Sequence, residues 1–439
     1  MREPVQKIDM VNMSVTNKCN LKCPSCPTGR LNANLARNGK RAVVPSFTPV
    51  EMCEKIFEKV RQLYGPQLFY LHIWGEPLLH PRMADILHLL DQYGHMAYMS
   101  SNLNVRADWT AIMAQPALRT LVVSMSGYDQ TTYEKGHRGG RVALVLENLK
   151  TISQLLPRSQ ARVLINFHSY NDNEADALAL QELCGSLGIE FGPYPAVALQ
   201  ENVEAAVASG RHEAWRQIPD IADLVIPRLK LRPFPFTDIA GLEGIPCHSQ
   251  SNILVLDHAG RICTCTHREP TVVQRLGNFL EMDEATIRQV KASAPSCQKC
   301  RQLGLHMSYV FACFFEKPCD SEQEIVDFLA AHAPLARFAD ESIYIFGAGM
   351  TGAAVGPLLR HHGYDVRGFI DDDPQKTGKS LHGIDVYPLE EAAPMLAEAW
   401  VLDTVRSLPF RRRAAAAGIS CRAILSSEEF IATIMKEQG

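Results

Sequence analysis

From Ile8 to about Pro195 the chain alternates short apolar runs with amphipathic stretches, and this alternation constrains the fold more than any single residue. Val11–Thr16, Leu68–Trp74, Met96–Ser101, Thr120–Ser126, Val163–His168 and Ile189–Pro193 read as strands. Each is short, rich in β-branched or aromatic residues, and bounded by polar residues, Gly or Pro. Helical patterns lie between them at Pro49–Leu63, Arg82–Tyr93, Val142–Leu156 and Glu174–Leu187. In the first, Ile56, Phe57, Val60 and Leu63 share a face. Thr48 is its expected N-cap, with Pro49 at the first helical position and Glu51 completing a capping box. Strands alternating with helices imply a parallel, helix-wrapped α/β sheet. Six units are fewer than the eight of a full barrel, so a partial (β/α)6 TIM-like barrel or an open doubly wound sheet fits.

At 439 residues the chain has room for about three domains. A net charge of −4 leaves no basic footprint for a nucleic-acid partner. Met1–Met10 is polar and lacks the apolar core of a signal peptide, and no window reaches the roughly 18 apolar residues of a membrane span. The expected location is the cytoplasm, where thiols stay reduced. Thirteen cysteines in that compartment point to metal rather than to disulfides.

Cys19, Cys23 and Cys26 fall within eight residues, directly after the first predicted strand. In a parallel α/β fold, ligands bind beyond the carboxyl ends of the strands. Three thiolates hold three irons of a 4Fe–4S cube and leave the fourth iron open to a small molecule. The competing readings are a zinc loop or unconnected buried thiols, but structural zinc takes four ligands and no fourth stands nearby.

The run Thr16-Asn17-Lys18-Cys19-Asn20-Leu21-Lys22-Cys23-Pro24-Ser25-Cys26 resembles the signature of the radical S-adenosylmethionine (SAM) superfamily, over about residues 8–195. The resemblance implies a SAM-binding 4Fe–4S cluster on these cysteines and a 5′-deoxyadenosyl radical that removes a substrate hydrogen. It also implies a low-potential electron donor such as flavodoxin or ferredoxin. Gly75-Glu76-Pro77 matches the motif that meets the SAM amino group. Ser101 and Asn102, with Ser100 before them, end strand three where ribose contacts fall. Ser124 and Arg138 correspond to positions near the SAM carboxylate or ribose, and Asn166 to an adenosine-contacting region. Pro27 departs from the family, many members of which carry an aromatic residue there, so the adenine contact has no assigned residue.

Residues 247–319 contain a second set of seven cysteines. Cys297-Gln-Lys-Cys300 is a metal-type pair, and Cys247 leads through Gly260 to Cys265 across a hairpin formed by Ile253–Leu256 and Arg261–Thr264. Zinc and an iron–sulfur cluster both suit two such pairs. The spacing resembles the SPASM/twitch extension of radical SAM proteins. That likeness implies one auxiliary 4Fe–4S cluster on Cys247, Cys265, Cys297 and Cys300, with Cys263, Cys313 and Cys319 as alternative ligands. Cys53, Cys184 and Cys421 read as ordinary buried thiols.

Near the C-terminus, Ser342–Phe346 reads as a buried strand that runs into Gly347-Ala-Gly349-Met-Thr-Gly352 and a helix to about His362. This is the setting that a dinucleotide-type glycine loop needs. A second strand, Val366–Ile370, ends in Asp371, where an acid bonds a ribose hydroxyl. The competing reading is a Rossmann-like scaffold without a ligand. Gly368–Pro374 and His382–Val386 resemble a small nucleotide-binding domain attached to bacterial sugar acyltransferases, which implies a nucleotide or nucleotide-sugar ligand.

The expected organisation is a radical SAM partial barrel over 1–198, a connector over 199–246, and a twitch/SPASM-like domain over 247–320. A helical linker over 321–340 and a Rossmann-like domain over 341–439 follow. The leading expectation is an enzyme acting on a small polar, carbohydrate-like or nucleotide-linked molecule. A peptide-modifying maturase is the alternative, disfavoured because about ten residues precede the first strand, fewer than a leader-binding domain. A non-catalytic metal scaffold ranks last. No catalytic residue is assigned; Tyr70, His72 and Trp74 are placed facing the barrel interior.

Overall fold

Six parallel strands neighbour one another in the order in which they occur: β1 (Met10–Met13), β2 (Leu68–Tyr70), β3 (Met96–Ser101), β4 (Leu118–Met125), β5 (Arg162–Ser169) and β6 (Glu190–Pro195). The computed structural model describes residues 8, 10–38, 46–170, 172–195, 244, 246–266, 273–302, 306, 341–361, 363–374, 376–404 and 410–426. The helical linker expected over 321–340, Cys313 and Cys319 lie outside the described residues, as does the connector expected over 199–246 apart from residues 244 and 246.

A parallel sheet whose order follows the chain places right-handed crossovers on one side. Within β1–β6 the strand order never reverses, as a doubly wound sheet would require. The helices between the strands are α1 (Pro27–Arg37), α2 (Val50–Tyr64), α3 (Met83–Gln92), α4 (Trp109–Met113), α5 (Gln130–Gly136), α6 (Val142–Leu155) and α7 (Glu174–Leu187). Alternate strand residues such as Phe69, Met99, Leu121 and Ile165 pack with Ile56 and Phe57 of α2, Leu87 of α3 and Leu149 of α6 in one core. Each such fully buried side chain contributes about 1.5–3 kcal/mol. The other strand face carries half-buried Tyr70, Tyr98, Ser100, Ser124, Asn166 and His168.

The entry to α2 corrects one expectation. Pro49, not Thr48, is its N-cap. The Thr48 hydroxyl lies 2.9 Å from the His258 carbonyl and donates to it. A long-range acceptor has claimed the group that local sequence assigns to the helix.

The cysteine-rich hairpin extends the same sheet. β7 (Ile253–Leu256) pairs in parallel with β1 from Met10↔Ile253 to Met13↔Leu256, and β8 (Arg261–Cys263) and β9 (Arg275–Asn278) follow antiparallel. The result is nine strands in the order β6-β5-β4-β3-β2-β1-β7-β8-β9. Asp257 closes the β7–β8 turn: its Oδ1 accepts from Ala259 N and Arg261 N, both at 3.0 Å, and its Oδ2 from Arg261 Nε at 2.8 Å. Around this hairpin lie α8 (His248–Ser251), α9 (Glu284–Ala292) and α10 (Pro295–Gln302).

A second sheet of six strands contains β10 (Ser342–Phe346), followed by helix α11 (Met350–His361) and then β11 (Asp365–Ile370), β12 (Ser380–Leu381), β13 (Ile384–Tyr387), β14 (Trp400–Asp403) and β15 (Ala423–Ser426). Its order is β12-β13-β11-β10-β14-β15, parallel except for β12. The chain builds outward from β10 on one side and then crosses to β14 on the other. That reversal beside β10 is where α/β sheets open a crevice. No helix among the described residues is long and apolar enough to cross a membrane.

Candidate active site

The loop after β1 carries Cys19, Cys23 and Cys26 and is stitched to the strand ends around it. Asn32 of α1 donates from Nδ2 to the carbonyls of Cys19 and Leu21, both at 3.0 Å. Glu76 N donates to Lys18 O at 2.8 Å, Lys22 N to Arg138 O at 2.9 Å, and Asn20 Nδ2 to Asn104 O at 2.7 Å. Thr28 Oγ1 donates to Trp74 O at 2.7 Å. Cys26 is the N-cap of α1, and Pro27 begins the helix with its fixed φ.

The donor set fits an iron–sulfur cluster. Burial pushes the Cys19 thiol up to about 12, and Glu76 and Cys26 add to the rise. Cys23 is raised well above its usual range by burial and by the other two cysteines, while Arg138 pulls it down. Cys19 and Cys23 are both raised with Cys26 beside them, so the three thiols share one pocket, and a positively charged metal centre is what makes thiolates favourable there. Among the described residues no three His, Cys, Asp or Glu side chains converge on a single ion. A cube takes one thiolate per iron, so its ligands stand further apart than those of one ion. Asn102 Nδ2 donates to Cys19 Sγ at 3.8 Å, a bond that steadies a sulfur ligand.

The other candidate residues form a frame at the strand ends. Gly75 is required sterically: a Cβ there would lie 2.3 Å from Thr16 O. Glu76 is 3% exposed. Its Oε1 accepts from Ser101 Oγ at 2.8 Å and Leu78 N at 3.1 Å, and its Oε2 from Asn102 N at 2.8 Å. Burial raises this carboxyl to about 7 against the pull of those three donors. Pro77 starts a short turn through Leu79. Ser101 is buried with its hydroxyl on Glu76, whereas Ser100 next to it is half-buried, its Oγ 3.4 Å from Ser124 Oγ. Ser124 is the register partner of Asn166, so Ser100, Ser124 and Asn166 stand side by side on the inner face. Arg138 lies beside the cysteine loop through its carbonyl and through its charge near Cys23.

Several further neighbours complete the site. Tyr133 is fully buried, stacks on His137 with centroids 4.9 Å apart, and accepts from Asn104 Nδ2 at 2.6 Å. Burial holds its phenol well above the usual tyrosine range, and Cys23, Glu76 and Cys19 add to the rise. Tyr170 sits against Cys23 and Cys26. Asn148 of α6 donates to Leu103 O at 2.8 Å and Val105 O at 2.9 Å, supporting the segment after β3. The only available signal was polar residues at otherwise apolar helix positions. Deeper on the inner face Tyr70 and Tyr98 stack at 4.6 Å, with His72 5.5 Å from Tyr98. Burial lowers His72 and His168 to about 4, so both are neutral at pH 7.

In the second cysteine set, Cys247 is the N-cap of α8, and Cys297 and Cys300 lie one turn apart on α10. Burial raises Cys247, and nearby Cys297 raises it further. Cys265 follows β8 and is half-buried, whereas Cys263 is fully buried against Ile253, Val255 and Val273. Cys263 is thereby committed to the apolar core. No disulfide joins any of the described cysteines.

At the second sheet, Gly347 has φ +98°, and a Cβ on Gly352 would lie 1.8 Å from Gly347 O. Gly349 has open space where a Cβ would stand. Asp371 Oδ2 accepts from Ala348 N at 2.7 Å, which ties the end of β11 to the glycine loop.

Residues 13–180 match the Radical SAM superfamily. A 7,8-dihydro-6-hydroxymethylpterin dimethyltransferase of Methanocaldococcus jannaschii is 23% identical over 193 residues, 42% of this chain. The chain spans 36% of that relative's length. Among solved structures, Streptococcus suis SuiB bound to precursor peptide SuiA aligns over 67% of each chain at 14% identity and a TM-score of 0.45. BtrN in complex with AdoMet and 2-DOIA aligns over 68% of this chain and 88% of its own at 13% identity and a TM-score of 0.37. Residues 13–180 thus combine the match to the radical SAM superfamily with a cysteine loop at the end of the first strand of an ordered parallel sheet.

Proposed function

We propose that the protein cleaves SAM reductively at the mouth of the nine-stranded sheet and abstracts hydrogen from a small polar substrate, carbohydrate-like or nucleotide-linked. The observation that carries this reading is the single loop that gathers Cys19, Cys23 and Cys26 in one pocket, held by bonds to Trp74, Glu76, Asn104 and Arg138. A 4Fe–4S cluster on Cys19, Cys23 and Cys26 supplies, with SAM, the radical chemistry; the protein positions and excludes. Gly75, Glu76 and Pro77 frame the amino-acid end of SAM through the backbone, since the Glu76 carboxylate is already bound by three donors. Ser100 and Ser124, with Asn166 and Arg138, are the polar groups this reading assigns to its ribose and carboxylate. Ser101 and Asn102 hold Glu76 and Cys19 in place. Tyr133 and Tyr170 keep water from beneath the cysteine loop.

Cys247, Cys265, Cys297 and Cys300 bind a second 4Fe–4S cluster in this reading. The burial of Cys263 supports Cys265 as the ligand from the hairpin. Residues 341–439 bind a nucleotide or nucleotide-sugar, with the backbone space at Gly349 open to a phosphate. The domain limits given above are proposed with it, as is a flavodoxin- or ferredoxin-type donor.

Anaerobic reconstitution of the Cys19→Ala/Cys23→Ala/Cys26→Ala chain tests this. The expected result is roughly four irons retained out of roughly eight and complete loss of 5′-deoxyadenosine formation. Zinc in place of the retained iron would sink the auxiliary cluster, and undiminished SAM cleavage would sink the whole reading. Protection of the Gly347–Gly352 loop from proteolysis by uridine or adenosine nucleotides tests the C-terminal ligand.

A further inference from the structure

On the outer side of the second cysteine set, a pocket of ≈ 320 Å³ opens between the end of α2 and helices α8, α9 and α10. Its polar lining is Tyr64, Gln250, Ser251, Arg288, Lys291 and Arg301, and Ile8 and Ile287 form an apolar wall. Among the described residues, three cations line it and no carboxylate does. Its size falls within the range of small-molecule sites.

Tyr64 gives the pocket a demand for a ligand. The residue is 5% exposed, and its hydroxyl has no hydrogen-bond partner among the described residues. A buried hydroxyl left unpaired is unfavourable. Burial raises the phenol to about 12, so it is a donor at any physiological pH, and Glu284 and Arg288 are its charged neighbours. Arg288 pairs with Glu284 at 2.6 Å, but this pair is half-exposed and its rearrangement costs little. Lys291 is engaged elsewhere, since its Nζ donates to the carbonyls of Ser249 and Ile253 and so joins α9 to the start of β7.

We propose that this pocket binds a small amphipathic anion, its carboxylate or phosphate on Arg288, Arg301 and the Tyr64 hydroxyl, and its apolar body on Ile8 and Ile287. The pocket walls include the helices that carry Cys247, Cys297 and Cys300. Ser251 Oγ lies 3.1 Å from the Cys247 carbonyl. Occupancy therefore bears on the second cysteine set, whichever metal that set holds. The site is separate from the strand-end mouth and does not depend on the function proposed there.

The test is calorimetric titration of the anaerobically reconstituted full chain with hexanoate, hexyl phosphate, inorganic phosphate and hexylammonium. Saturable binding of hexanoate or hexyl phosphate at one site per chain is expected, at least tenfold tighter than hexylammonium or inorganic phosphate. The tighter of the two anions identifies the head group. Arg288→Gln/Arg301→Gln should weaken it at least tenfold. Tyr64→Phe should weaken it several-fold while leaving the melting temperature of the ligand-free chain unchanged or higher, because the hydroxyl it removes has no partner to lose. Absence of saturable binding by both organic anions overturns the proposal. So does equal binding of hexylammonium or inorganic phosphate, or unchanged affinity in the double arginine variant.

Discussion

The mouths of the two sheets are built from the same two parts, a glycine beneath a carbonyl oxygen and a carboxylate that gathers backbone amides, yet they use them differently. At the first mouth the carbonyl above Gly75 belongs to Thr16, far away in sequence, and Glu76 binds Ser101 and Asn102 at the end of another strand. At the second, the carbonyl above Gly352 belongs to Gly347 of the same loop, and half-buried Asp371 reaches Ala348. The first is a clamp between distant segments; the second is a turn closed locally. A loop proposed to hold a metal cluster in fixed geometry needs the first kind of support.

The comparison is broken most directly by adding one methyl group at each glycine. Gly75→Ala should cost about 3 kcal/mol in urea unfolding and lower iron uptake at Cys19, Cys23 and Cys26. Thr16 O cannot move freely while Glu76 N is bonded to Lys18 O. Gly352→Ala has the shorter overlap but should cost only about 2 kcal/mol, because its loop can shift as a unit, and iron content should not change. A larger loss at Gly352 than at Gly75 would refute the distinction.

The carboxylates sharpen it further. Glu76→Gln should cost less than about 1 kcal/mol below pH 4.5, where the protonated acid and the amide alike turn one donor toward the three donors around them. The Glu76 carboxyl is raised from 4.5 to about 7 by burial, so its contribution is fully present below pH 4.5 and is lost as pH rises through about 7. Across that window the metal-free wild type should lose roughly 3 kcal/mol of stability that the variant does not lose, visible as a difference in denaturation midpoint, in the variant's favour, that opens as pH rises. Asp371→Asn should cost no more than about 1 kcal/mol, its effect confined to proteolysis of the Gly347–Gly352 loop.

Much of the first mouth was legible because its parts are consecutive. Three cysteines after an apolar run, and glycine, glutamate and proline after the next, can be read without knowing what lies opposite. The strand at Met96–Ser101 and the helix at Glu174–Leu187 have the bounds that periodicity predicts. What escaped was set by contacts between distant residues. The Thr48 hydroxyl prefers the His258 carbonyl to its own helix. Ser101 and Ser100 look alike in sequence, yet the alternation of the strand buries one against Glu76 and turns the other inward. Cys263 and Cys265 differ only in that the strand ends between them, which leaves the first inside the apolar cluster. Tyr133 and Asn104 gain their place only when α5 folds back over the cysteine loop.

The parallel pairing of β1 with both β2 and β7 sets an order of events during synthesis. β1 leaves the ribosome early, but its second neighbour starts at residue 253. At ~5–20 residues per second the interval is roughly 10–50 s. Throughout that time the strand leading into Cys19 has one open edge. Arrival of β7 closes the edge, so the strand that leads into the cysteine loop completes its pairing only after residue 256 has been made.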